Sequence, residues 1–142
     1  MGKRASAREC AENMRAVDTD LVVLLITRDN PTQIAAAEQF IANGAWISHL
    51  VLTDVIWTLE KFYDLDAGGQ AKAVEMLLAH DRLTIEDSDV VESALTAFRE
   101  KPSLGFTDCL ILETARRAGH LPLGTFDRTL GRLPGAERVK QV

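Results

Sequence analysis

An α/β domain with a mainly parallel central sheet of four to five strands is the fold class this sequence predicts, and three observations predict it. Strand-like and helix-like segments alternate from Met14 to Val139. No internal repeat, low-complexity tract or compositional shift interrupts that alternation. The 142 residues, 46% hydrophobic and 26% charged, suit one domain that buries a core without disulfide or metal staples. The expected organisation is a polar N-terminal tail, 1–13, followed by a single domain, 14–142.

Each element has its own local signal. Arg15-Ala16-Val17-Asp18-Thr19-Asp20 reads as a first strand that stops on carboxylates before the apolar segment Leu21 to Ile26. Asn30-Pro31-Thr32-Gln33 is a helix start, with Asn30 as cap, Pro31 in the first turn and Gln33 reaching back. Ile34, Ala37, Phe40 and Ile41 then recur at helical spacing until Asn43-Gly44. Ala45 to Ser48 is the second strand. Val51, Val55, Leu59 and Phe62 mark the buried stripe of the next helix, with Asp54, Thr58 and Lys61 on another face. A helix carrying Val74, Leu77 and Leu78 precedes a third strand, Arg82 to Ile85. Asp87 or Ser88 caps a helix whose apolar face is Val91, Ala94, Leu95 and Phe98, and Lys101-Pro102 breaks it. Thr107 to Ala118 is the clearest helix, opened by Thr107 or Asp108, with Ile111, Ala115 and Ala118 on one side and Gly119 closing it. Leu121 to Thr125 is the fourth strand, Asp127 to Gly131 a single turn, and Ala136 to Val139 a short edge strand.

Composition excludes several classes of function. The longest apolar run near the front, Leu21 to Ile26, is too short to cross a bilayer. The polar opening lacks the apolar middle of a secretory signal, so the expected address is cytoplasmic. Cys10 and Cys109 form no paired spacing, and His49, His80 and His120 no ligand spacing, which argues against disulfide and zinc sites. A net charge of −5 argues against indiscriminate adhesion to nucleic acid. The charge is unevenly spread: Arg116 to Lys140 holds six basic residues against two acids, and Asp81 to Glu100 six acids against two arginines.

The acids carry the chemistry. Asp18, Asp54, Asp108 and Asp127 each sit at or shortly after a predicted strand exit, and right-handed crossovers bring the exits of parallel strands to one sheet edge, where ligands of such folds bind. Carboxylates crowded together repel, so their expected purpose is a hard divalent cation, Mg²⁺ above all, with Mn²⁺ as its substitute. Such an ion activates water and steadies a leaving oxygen without a side-chain nucleophile. The sequence offers none: there is no Gly-x-Ser-x-Gly elbow and no phosphate-cradling loop.

These segments resemble the motifs of the PIN-domain ribonucleases, and specifically of their VapC-type toxin branch. Val17-Asp18-Thr19-Asp20-Leu21-Val22 resembles the family's opening strand and Ser48 to Leu59 its second motif. Leu104-Gly105-Phe106-Thr107-Asp108 resembles the third motif and Thr125-Phe126-Asp127-Arg128-Thr129-Leu130 the fourth. The resemblance implies a three-layer α/β/α domain. It also implies an Mg²⁺-dependent endoribonuclease toxin that hydrolyses phosphodiesters of structured or single-stranded RNA, forms a homodimer and is held by a cognate antitoxin. On that resemblance Asp18, Asp108 and Asp127 are metal ligands and Asp54 a weakened fourth. Asp20 and Thr125 are auxiliary, and Arg116, Arg117, Arg128 and Arg132 are candidate phosphate contacts. Two departures stand out: Asp54 replaces the family's usual Glu, pulling that carboxylate back by a methylene, and Asp20 stands where Asn or Ser is usual.

Two rival functions remain open on sequence. A degenerate PIN domain would bind RNA or a partner protein without cleaving, and Asp54 favours it. A haloacid-dehalogenase-like phosphatase would use Asp18-Thr19-Asp20 as its nucleophile-x-acid opening, but the later Lys and acidic pair of that class are missing.

Overall fold

Three short strands stand side by side in parallel, β1 (Arg15–Ala16), β2 (Ala45–Ile47) and β3 (Leu83–Ile85), with β2 in the middle. The computed structural model describes residues 14–140; the predicted polar tail, including Cys10, lies outside them. Between β1 and β2 run helices α1 (Thr19–Thr27) and α2 (Pro31–Phe40). Between β2 and β3 run α3 (His49–Tyr63) and α4 (Ala67–Ala79), and after β3 come α5 (Ser88–Glu100) and α6 (Phe106–Ala118). A second parallel pair, β4 (Leu123–Thr125) and β5 (Ala136–Arg138), closes the chain.

The architecture is the expected three-layer α/β/α arrangement of helices around parallel strands. The expected single sheet of four to five strands is divided as three plus two, β1-β2-β3 and β4-β5, with the two-residue β1 at the edge of the first. Alternate residues of β2, Ala45 and Ile47, are fully buried. Burial of parallel strands between helices favours such apolar residues.

Helix starts follow capping chemistry. Asn30 Oδ1 accepts from Gln33 N–H at 3.2 Å, Ser48 Oγ from Val51 N–H at 3.1 Å, and Asp66 Oδ1 from Gly69 N–H at 2.8 Å. Each satisfies a donor that has no partner within its own helix. The predicted face of α5 is the core face, and Phe98 meets Phe106 of α6 edge to face at 6.1 Å.

Several expectations need correction. The first strand ends at Ala16 and Thr19 already begins α1, so Leu21 and Val22 are helical. Val22, Val23 and Leu25 are buried and Leu21, Leu24 and Ile26 pack against the same core, which leaves this helix without a polar stripe. In α3 the buried stripe is Leu52, Val55, Ile56 and Leu59; Phe62 is 69% exposed at the helix end. Asp87 stands at the start of α5 with φ +41, but its side chain caps nothing. Helix α6 begins at Phe106, preceded by Gly105. Its buried side is Phe106, Cys109, Leu110 and Leu112, whereas Ile111 faces outward at 47% exposure.

Candidate acidic site

The exit of β1 sets the first acid. Val17 N–H donates to Trp46 O at 3.1 Å, extending the β1–β2 pairing by one residue, and Asp18 then turns the chain into α1. Its Oδ1 accepts from Leu21 N–H at 3.2 Å, so Asp18 is the helix cap and its anion lies at the positive end of the helix dipole. The next residue reaches across the fold: Thr19 Oγ1 donates to Asp54 Oδ2 of α3 at 2.7 Å. That bond fixes one oxygen of the shortened Asp54 carboxylate, 35 residues away in sequence. Asp20 is exposed in the first turn of α1.

The second group comes from the C-terminal third. Asp108 lies in the first turn of α6, half-buried. Burial, and secondly the negative charge of Asp127, hold its carboxyl above the ordinary value of 3.8. Asp127 follows β4 by two residues. Its Oδ2 accepts from Leu130 N–H at 2.7 Å, while its own N–H donates to Thr125 Oγ1 at 3.0 Å. The predicted auxiliary Thr125 therefore positions the loop carrying Asp127.

The four aspartates thus form two groups, Asp18 with Thr19 and Asp54, and Asp108 with Asp127. Among the described residues no three His, Cys, Asp or Glu side chains stand close enough to cage a metal ion, and none of these aspartates forms an ion pair with Lys or Arg. Mg²⁺ is commonly held by one or two carboxylates and keeps several waters, so the repelling Asp108–Asp127 pair has the donor set and charge that such an ion requires. Cys109, next in the chain, is no rival nucleophile. Burial, Asp108 and Glu113 push its thiol up to about 11, and a protonated thiol is inert.

The predicted arginines differ in their engagement. Arg116 donates to Pro134 O at 2.7 Å and to Glu113 Oε1 at 3.3 Å, and Arg117 pairs with Asp89. Both serve the fold. Arg128 and Arg132 are exposed and pair with no described acid.

Sequence reasoning missed the Thr19 link, whose only signal was adjacency to Asp18. It also missed His49, which joins the exits of β2 and β3. Its N–H donates to Glu86 Oε1 at 2.9 Å, and its Nε2 lies 2.6 Å from Glu86 O.

The sequence profile of the PIN domain matches residues 16–136, which include all four aspartates. No curated protein matches the chain, and no solved structure does.

Proposed function

The chain belongs to the PIN-domain family, a nuclease-type fold whose members are generally metal-dependent hydrolases, and from that premise we propose that it is an Mg²⁺-dependent endoribonuclease of the toxin type. The observation that carries the proposal is the family match over residues 16–136, which takes in Asp18, Asp54, Asp108 and Asp127, two of them held in place by hydrogen bonds: Asp54 by Thr19 and Asp127 by Leu130 N–H.

Asp108 and Asp127 would hold the ion, and Asp18 at the β1 exit and Asp54 on α3 are the further acids of the proposed site. Once bound, a divalent cation supplies positive charge for phosphodiester displacement and eases deprotonation of the attacking water. Thr19 keeps the Asp54 carboxylate in one orientation. Thr125 and the Leu130 N–H hold Asp127 from two sides. Arg128 and Arg132 are the phosphate contacts; Arg116 and Arg117 are occupied elsewhere.

The remaining roles are part of the same proposal. The unit is residues 14–142, working in the cytoplasm on RNA; among the described residues no helix is long and apolar enough to cross a membrane. A cognate antitoxin covers the acidic pocket. The homodimer face is the apolar groove of about 550 Å³ between α3 and α6, where Leu50 is 83% exposed beside Ile111, Ala115, Ala118 and Leu123. The binding-only alternative is favoured by Asp54, a shorter side chain where the family usually carries Glu.

A cleavage assay on total RNA with Mg²⁺ or Mn²⁺ tests the proposal, comparing the parent with Asp18→Asn and Asp54→Glu. Cleavage by the parent that disappears with Asp18→Asn supports the nuclease. Cleavage only with Asp54→Glu means sound architecture with one defective acid, and silence in all three favours the binding module.

A further inference from the structure

A pocket of about 340 Å³ opens beside Asp108, walled by the Leu104-Gly105 approach to α6 and by the outer side of α3. That volume lies at the small end of ligand sites and suits one flat ring system. Three features describe what enters it. Trp57, one helical turn beyond Asp54, is 51% exposed in its wall, and Phe62 braces the indole edge to face at 5.7 Å. Glu60 lines the pocket from the same helix, an exposed carboxylate whose two oxygens only accept hydrogen bonds when ionised. No Lys, Arg or His lines it, so a phosphate group is disfavoured while a neutral ring with donors is welcome. Gln70, buried in the pocket wall, donates from its amide nitrogen to Leu65 O at 2.9 Å.

We propose that this pocket is a guanine subsite for single-stranded RNA, with Trp57 as the stacking surface and Glu60 as acceptor for the base edge. Single-stranded RNA is recognised by stacking unpaired bases on aromatic rings and bonding their Watson–Crick edges. Guanine alone presents two adjacent donors on that edge, N1–H and N2–H, which one carboxylate accepts together. Because Asp108 lines the same pocket, a base seated there carries its own phosphate towards the acidic site. The proposal rests on the nuclease reading only for what happens to that phosphate.

The test measures binding of labelled ten-nucleotide uridine runs, each with a central G, A, C or U, in an Asp18→Asn background with Mg²⁺. The G-containing RNA is expected to bind tightest. Trp57→Ala should weaken it by about 5- to 140-fold, Trp57→Phe should retain most of the affinity, and Glu60→Gln should bring the ratio of G-run to all-U affinity close to one. Equal affinity for all four RNAs, or a G preference indifferent to Trp57→Ala and Glu60→Gln, overturns the subsite. Circular dichroism of the exposed-residue variants separates loss of binding from loss of fold. If the parent cleaves RNA but Trp57→Ala changes neither binding nor cleavage, the subsite fails and the nuclease stands. If binding depends on Trp57 and Glu60 while the parent cleaves nothing, the subsite stands and the nuclease fails.

Discussion

Gly105→Ala isolates what positions Asp108. Gly105 has φ +84 and ψ 142, a conformation essentially reserved for glycine, and it sits immediately before α6. A Cβ added there meets nothing within 4 Å, so the whole cost is torsional, about 1–3 kcal/mol. At roughly 2–4 °C per kcal/mol for a chain near this size, the melting temperature falls by about 2–12 °C. Gly119→Ala at the other end of the helix is the control: φ is +84 there too, and its Cβ also meets nothing within 4 Å. Its left-handed conformation costs about 1–2 kcal/mol. Scanning calorimetry should show both variants destabilised. Only Gly105→Ala relieves its strain by moving the first turn of α6, and a displacement of about 1 Å at Asp108 lowers Mg²⁺-dependent cleavage on the order of 100-fold. A Gly105→Ala protein with the parent's melting temperature and activity would refute the reasoning.

Three further outcomes are expected. Because Asp108 binds its proton more tightly in the folded chain, its contribution to stability is full below 3.8 and is lost as pH rises through its raised folded value. Asp127→Asn keeps a capping oxygen and removes the second cause of the shift. Urea unfolding between about pH 3 and 7 should therefore place that loss at lower pH than in the parent; an unchanged profile would contradict the pairing. Arg128→Ala and Arg132→Ala should each reduce the slope of log affinity for RNA against log salt by about 1. Arg116→Ala should instead lower the melting temperature with the slope intact, since its guanidinium holds Pro134 O at 2.7 Å. Leu50→Asp, at a side chain 83% exposed, should convert a dimer to a monomer in light scattering without unfolding it; a dimer that survives would exclude the α3–α6 groove.

The parts of the fold legible in the sequence are those governed by local chemistry. Asn30-Pro31-Thr32-Gln33 announces its cap because the partners are three residues apart, and the α5 stripe is clear because its opposite face is charged. Helix α1 was hidden for the converse reason. Thr19–Thr27 is surrounded by other elements, so Leu21 to Ile26 has no polar face from which a helical period could be read. Helix α6 has apolar residues on two sides, and periodicity alone cannot choose between Phe106-Cys109-Leu110 and Ile111-Ala115-Ala118 as the core face. Phe62 illustrates another limit, since an apolar residue in register with a core stripe is exposed when its helix outruns the neighbours it packs on. Of the site, the positions of Asp18 and Asp127 just beyond strands could be read from spacing. The Thr19–Asp54 bond could not, because it depends on how α1 and α3 lie against each other.

Titration with Mn²⁺, followed by the paramagnetic resonance signal of the free ion, tests the acidic site most directly. The parent should take up the ion saturably, with binding weakened strongly in Asp108→Asn and Asp127→Asn and retained in Asp20→Asn. Binding in Asp108→Asn and Asp127→Asn indistinguishable from the parent would contradict the account.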